Sequence, residues 1–109
     1  GIGYPPREAM ATGLPVIVTR YSGMEEIANS DFAYPLEPAG EYQRPNMLEE
    51  QPGMWAKIDV YALMKLMRHV YTHQKEARWK GHLAAGHIKK YFSWPECTWK
   101  LIDFLKTYE

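Results

Sequence analysis

Between Gly13 and Tyr21 runs Pro15-Val16-Ile17-Val18-Thr19, short, β-branched and apolar at consecutive positions. A strand with one wet face alternates apolar and polar residues. A run apolar on both faces belongs to a buried strand in a parallel sheet. Parallel neighbours cannot be joined by a tight hairpin, so this run demands a crossover and therefore an α/β arrangement.

The flanking residues agree. Gly1-Ile2-Gly3-Tyr4-Pro5-Pro6 is a turn-forming stretch, and Pro6 suits a first helical turn, where its missing N–H costs nothing. Arg7 to Thr12 are helix-compatible, with Gly13 as a left-handed C-cap. After the turn Tyr21-Ser22-Gly23, Ser22 and Glu25 have capping-box spacing and predict a short helix through Ala28. Phe32-Ala33-Tyr34-Pro35-Leu36 reads as a second strand, confined by Pro35 to an edge or an end. Residues 1–36 thus form an α/β unit with about two parallel strands.

Residues 37–54 contain Pro38, Gly40, Pro45, Pro52 and Gly53 with few β-branched positions, and read as a loop. Residues 55–109 read as three helices. Asp59 caps the first, whose apolar face carries Val60, Leu63, Met64, Met67, Val70 and Tyr71. The second starts near Gln74 and aligns Ala77, Gly81, Ala84, Ala85, Ile88 and Phe92, small enough for close approach to a neighbour. Ser93 and Glu96 are spaced as a capping box for the third, which turns Cys97, Leu101, Phe104, Leu105 and Tyr108 inward.

The 109 residues fit one small domain, and 46% hydrophobic residues make disorder an unlikely reading. A formal net charge of zero argues against a dedicated nucleic-acid binder. That zero conceals two unlike halves: residues 1–54 have three arginines against eight acids, and residues 55–109 have ten basic residues against five acids. The basic half reads first as a solvated helical face, with an anionic membrane surface or the phosphates of a ligand as alternatives. No apolar run is long enough to span a membrane and no secretory signal is visible, so the expected location is cytoplasmic, with peripheral contact at the inner face of the membrane as a variant.

The glycine loop entering a helix N-terminus offers backbone N–H groups and a positive dipole end to a phosphate, and Gly3 would admit close backbone approach. One turn on, the Glu8 carboxylate has the chemistry to accept two hydroxyl hydrogen bonds from a ribose diol. The plain alternative is a surface acid in a first turn.

The string from Gly1 through Glu8-Ala9-Met10-Ala11-Thr12-Gly13-Leu14-Pro15-Val16-Ile17 resembles the signature of family 4 retaining glycosyltransferases, which have the GT-B fold. Ser22-Gly23 followed by Glu25-Glu26-Ile27 is similar to the family's continuation, as are Trp55-Ala56, Asp59 and the run Tyr91-Phe92-Ser93-Trp94. Lys57-Ile58 departs from the Glu-Pro more usual there. The resemblance implies the C-terminal part of a partial Rossmann-like nucleotide-binding domain. Glu8 matches the second motif glutamate, which holds the donor ribose, and the first would lie before Gly1. Ile2, Gly3, Tyr4 and Pro5 would line the donor sugar and diphosphate. The implied reaction moves a sugar from a nucleotide diphosphate sugar to an acceptor with retention, without a metal or other cofactor. The expected partners are that donor and an N-terminal acceptor domain of the same enzyme. The chain alone is expected to be inactive and, having an orphaned sheet edge, to self-associate.

Other signals are read as structural. His69 and His73 have helical metal-pair spacing but no evident third ligand. Cys97 reads as a buried thiol, Met54, Met64 and Met67 as core filling. Trp55, Trp79, Trp94 and Trp99 read mainly as packing residues, and Arg7 as solvent-facing. Two rival readings are a non-catalytic α/β interaction module and a helical nucleic-acid binder, the latter disfavoured by the acidic first half.

Overall fold

The computed structural model describes residues 2–43 and 53–109. The chain is mixed α/β, with more helix than strand. Helix α1 (Tyr4–Ala11) leads to β1 (Ile17–Thr19), a 3-10 helix (Ser22–Ile27) and β2 (Tyr34–Leu36). Strands β3 (Gly40–Gln43) and β4 (Met54–Lys57) follow, then α2 (Val60–Thr72), α3 (Gln74–Tyr91) and α4 (Trp94–Lys106).

β1 and β2 pair in parallel, Ile17 opposite Tyr34 and Thr19 opposite Leu36, as the apolar run requires. The Tyr34 N–H donates to the Val16 carbonyl and the Arg20 N–H to the Leu36 carbonyl, both at 2.9 Å. Strand alternation therefore turns the backbone nitrogen of Pro35 away from β1, where its missing N–H costs no ladder bond.

The stretch read as a loop holds a strand. Gly40–Gln43 pairs antiparallel with Met54–Lys57, and Tyr42 lies opposite Trp55. A cross-strand aromatic pair supports pairing that local β-propensity does not signal. Residues 44–52 of that stretch lie outside the described residues.

The core lies between α1, β1, the 3-10 helix, the turn before β2, and α3. It gathers Met10, Val18, Ile27, Ala28, Phe32, Ala33, Ala84 and Ile88. The small residues of α3 do bring it close to a neighbour: a Cβ on Gly81 would stand 2.1 Å from the Gly13 carbonyl oxygen. Gly13 itself has φ +84°, the left-handed C-cap expected after α1. Lys80 of α3 donates to the carbonyls of Ser30 and Ala33, tying that helix to the turn before β2.

Helix starts differ in how they are made. Asp59 caps α2, accepting from the N–H groups of Tyr61 at 2.9 Å and Ala62 at 3.3 Å. The Ser22–Glu25 capping box does not form. Ser22 has φ +54°, whereas a capping serine needs extended backbone to fold its hydroxyl onto the following amides. Tyr21 occupies the cap position without a side-chain bond to the helix amides, and Ser93 likewise precedes α4 without one.

The helical periodicity of the second half is real, and α3 buries Ala77, Gly81, Ala84 and Ile88 as assigned, but the inward direction assigned to the stripes of α2 and α4 is not found. Neither α2 nor α4 contains a buried residue. Val60, Met64, Met67 and Tyr71 on α2 are exposed, as are Leu101, Phe104 and Leu105 on α4 and Tyr108 just beyond its end. Cys97 is exposed rather than buried, and so are Met54 and all four tryptophans. The molecule is a slab, only 18 Å in its shortest extent and 52 and 46 Å in the others. Its radius of gyration is 16.8 Å, against about 13 Å for a compact chain of this size. An apolar stripe fixes which side of a helix avoids water; it does not supply the layer that covers it. Among the described residues, no helix is long and apolar enough to cross a membrane.

Candidate functional site

The entry to α1 is built by sterics. Gly3 precedes the helix with φ +75° and ψ +61°, a conformation that glycine adopts without penalty. A Cβ there would meet Met24 Cγ at 2.8 Å. The side left open by the missing Cβ thus faces Met24 of the 3-10 helix, so internal packing, not ligand approach, requires the glycine. Pro5 and Pro6 then set helical φ values in the first turn. The two prolines also remove two backbone donors. Within residues 4–6 only Tyr4 carries an N–H, and the Arg7 N–H already donates to the Gly3 carbonyl at 3.3 Å. The expected cradle of several free amides shrinks to the Gly3–Tyr4 end plus the helix dipole.

Beside this entry lies a cleft of about 540 Å³, within the range of small-molecule sites. Its walls include Ile2, Tyr4, Arg7 and Glu8 from the first segment, Glu26 from the 3-10 helix, and Phe92, Trp94 and Cys97 from the α3–α4 corner. Of the five residues expected to bind a donor, the cleft brings together Ile2, Tyr4 and Glu8. Gly3 and Pro5 do not line it. Glu8 is exposed, with its carboxylate free to meet solvent or ligand.

Arg7 corrects the reading of a solvent-facing residue: it is 8% exposed. Its Nε donates to the Ile2 carbonyl at 2.8 Å, and its Nη2 donates to the Gly23 carbonyl at 3.0 Å. Nη2 also pairs with Glu26 at 3.2 Å, and the guanidinium lies 4.4 Å from the Phe92 ring centre. The burial was readable: Arg7 precedes the fully buried Met10 by three positions and therefore shares its helix face. The contribution of Trp94 and Phe92 was not, because nothing local shows that the α3–α4 corner returns to α1.

One cation faces two carboxylates here, so the cleft has a net negative lining. It suits hydroxyl donors better than phosphate oxygens. Behind it, His87 stacks on Phe32 with ring centres 4.3 Å apart. Burial, reinforced by Arg7 and Lys90, holds the His87 pKa below its ordinary value.

The two histidines with metal-pair spacing sit elsewhere. His69 Nε2 lies 3.0 Å from Glu76 Oε1, and the His73 ring stacks on His69 at 3.9 Å. The His69 contact holds the Glu76 carboxyl below the usual range. Burial first, then Glu76, pushes the Tyr34 phenol up to about 12. Among the described residues, no three His, Cys, Asp or Glu side chains are arranged to hold a metal ion.

No family model and no curated protein matches this chain.

Proposed function

We propose that this chain is part of the nucleotide-sugar-binding domain of a retaining glycosyltransferase of the GT-B type, with β1, β2 and their crossover as a partial Rossmann-like unit. The observation that carries the reading is the exposed Glu8 carboxylate, one helical turn beyond the Gly3 loop and in one cleft with Ile2 and Tyr4. Glu8 accepts the two ribose hydroxyls of the donor. Ile2 and Tyr4 wall the donor, and the Gly3–Tyr4 end of α1 turns its dipole toward the diphosphate. Because the cleft is net negative, the cations that neutralise the diphosphate come from outside these residues. The acceptor domain and the first motif glutamate are also supplied from outside, and the chain alone transfers no sugar.

The uncovered apolar faces of α2 and α4 favour one competing reading, a non-catalytic interaction module that keeps the motif. Calorimetric titration with uridine, guanosine and adenosine diphosphates separates the two. The donor-site reading expects binding that Glu8→Ala weakens by about tenfold or more, the worth of hydrogen bonds to a charged group. A 2′,3′-dideoxynucleotide should lose the same amount on the unaltered chain and nothing further on Glu8→Ala. Equal affinity of both proteins for the ribonucleotide would refute the role of Glu8.

A further inference from the structure

Desolvating a guanidinium is costly unless its donors find acceptors. Arg7 is buried in the wall of the cleft, and two of its acceptors are main-chain carbonyls, Ile2 at 2.8 Å and Gly23 at 3.0 Å. Charge-assisted bonds to carbonyl groups fix backbone, where bonds to a side chain would fix only a rotamer. The segments so joined are the ones that meet at Gly3 and Met24, where a single added Cβ would collide. Neither segment has a side-chain cap of its own. Phe92 stacks beneath the guanidinium and anchors it to the end of α3. The charge is absorbed by Glu26 and the two carbonyls, and Nη1 is buried without a hydrogen-bond partner among the described residues.

We infer that Arg7 is a positioning residue: it clamps the Ile2–Gly3 loop to the 3-10 helix, so that Ile2 and Tyr4 stand over Glu8 before a ligand arrives. It orders the binding cleft through its neighbours and does not serve as a phosphate contact. The inference rests on the donor-site reading of that cleft for its functional consequence, and on the hydrogen-bond geometry alone for the clamp.

The test is amide-resolved hydrogen exchange on the full 109-residue chain, combined with titration by the same three nucleoside diphosphates. Arg7→Met should speed exchange at Met24 and at the residue-7 amide, which donate to the Tyr21 and Gly3 carbonyls of the two clamped segments, by about ten- to hundredfold and weaken diphosphate binding by about tenfold or more. The amides of Ala84 and Ile88 should stay within about twofold, because they belong to the more stable core. Arg7→Lys should recover part of both effects, since one ammonium cannot replace the forked geometry. Glu26→Gln keeps both carbonyl bonds and should leave exchange at the Arg7 and Met24 amides within about twofold. Unchanged exchange at Met24 and at the residue-7 amide in Arg7→Met would overturn the clamp. An equal rise throughout α3 would overturn it too, by making Arg7 a residue of general stability. If the unaltered chain binds none of the diphosphates while the local exchange pattern holds, the donor-site reading falls and the clamp stands.

Discussion

Gly81 lies in the middle of α3, so replacing it by alanine sets two effects against each other. Helix propensity alone would stabilise the protein by about 1 kcal/mol. Against this, the new Cβ would stand 2.1 Å from the Gly13 carbonyl oxygen, 3.0 Å from the Gly13 carbonyl carbon and 3.1 Å from that of Leu14. All three are backbone atoms at the end of α1, so relief needs a helix to move rather than a rotamer to turn. Overpacking of that kind costs roughly 1–3 kcal/mol and more when the backbone must shift. The overlap is more than half an ångström closer than any tolerated carbon contact, so the upper part of that range applies and the net change is destabilising by about 1–2 kcal/mol. Gly86, five residues along the same helix, supplies the control, since a Cβ there meets nothing within 4 Å. Gly86→Ala should stabilise by up to about 1 kcal/mol. Urea unfolding followed by circular dichroism reads both, as shifts of the midpoint in opposite directions at unchanged slope. A Gly81→Ala protein as stable as the original would refute the close approach of α3 to the turn that follows α1.

Two further predictions concern pH and assembly. His87 has a folded pKa below its ordinary value of 6.5, so the unfolded chain binds more protons as pH falls through that value. The contribution is therefore complete above about pH 6.5 and is lost on acidification toward the depressed folded value. Between about pH 7.5 and about pH 5.5, urea midpoints should fall less in His87→Phe than in the original; equal falls would refute the assignment. Among the described residues β1 pairs with β2 alone and α2 and α4 contain no buried residue, so that edge and those faces should drive self-association, read by light scattering as a mass that rises with concentration. A concentration-independent monomer would refute it.

The parts of the fold readable from sequence are those whose causes are local. Val16 to Val18 announce a parallel strand because an apolar run lacks the alternation of a half-wet one, although Val18 alone is buried and Ile17 and Thr19 are only partly so. Gly13 announces a helix end because few residues adopt its conformation, and Asp59 announces a start because its carboxylate reaches two amides. The errors come from what a stripe or a spacing leaves open. Met64, Met67 and Phe104 sit at correct helical intervals, yet nothing in those intervals states that a covering layer is at hand. Ser22 and Glu25 have the spacing of a capping box, but Ser22 takes left-handed backbone inside the 3-10 helix and Tyr21 stands at the cap position, which the spacing does not reveal. Tyr42 and Trp55 pair across residues far apart in the chain, with no local preference to reveal it. In the site, Glu8 was visible from its place after a glycine loop. Arg7 was misread through a general expectation about arginine, although its spacing to Met10 placed it on the buried face.

The contrast between the starts of α1 and α2 reaches beyond geometry. The beginning of α2 depends on a carboxylate, so a competing cation acts directly on what holds it. The beginning of α1 depends on two pyrrolidine rings and a glycine, none of which has a proton to gain or an ion to bind. Solvent composition therefore has leverage over one helix start and almost none over the other. Whatever meets Glu8 approaches a helix whose first turn is set by covalent rings, with the loop before it held by the charge-assisted bonds of Arg7 to main-chain carbonyls.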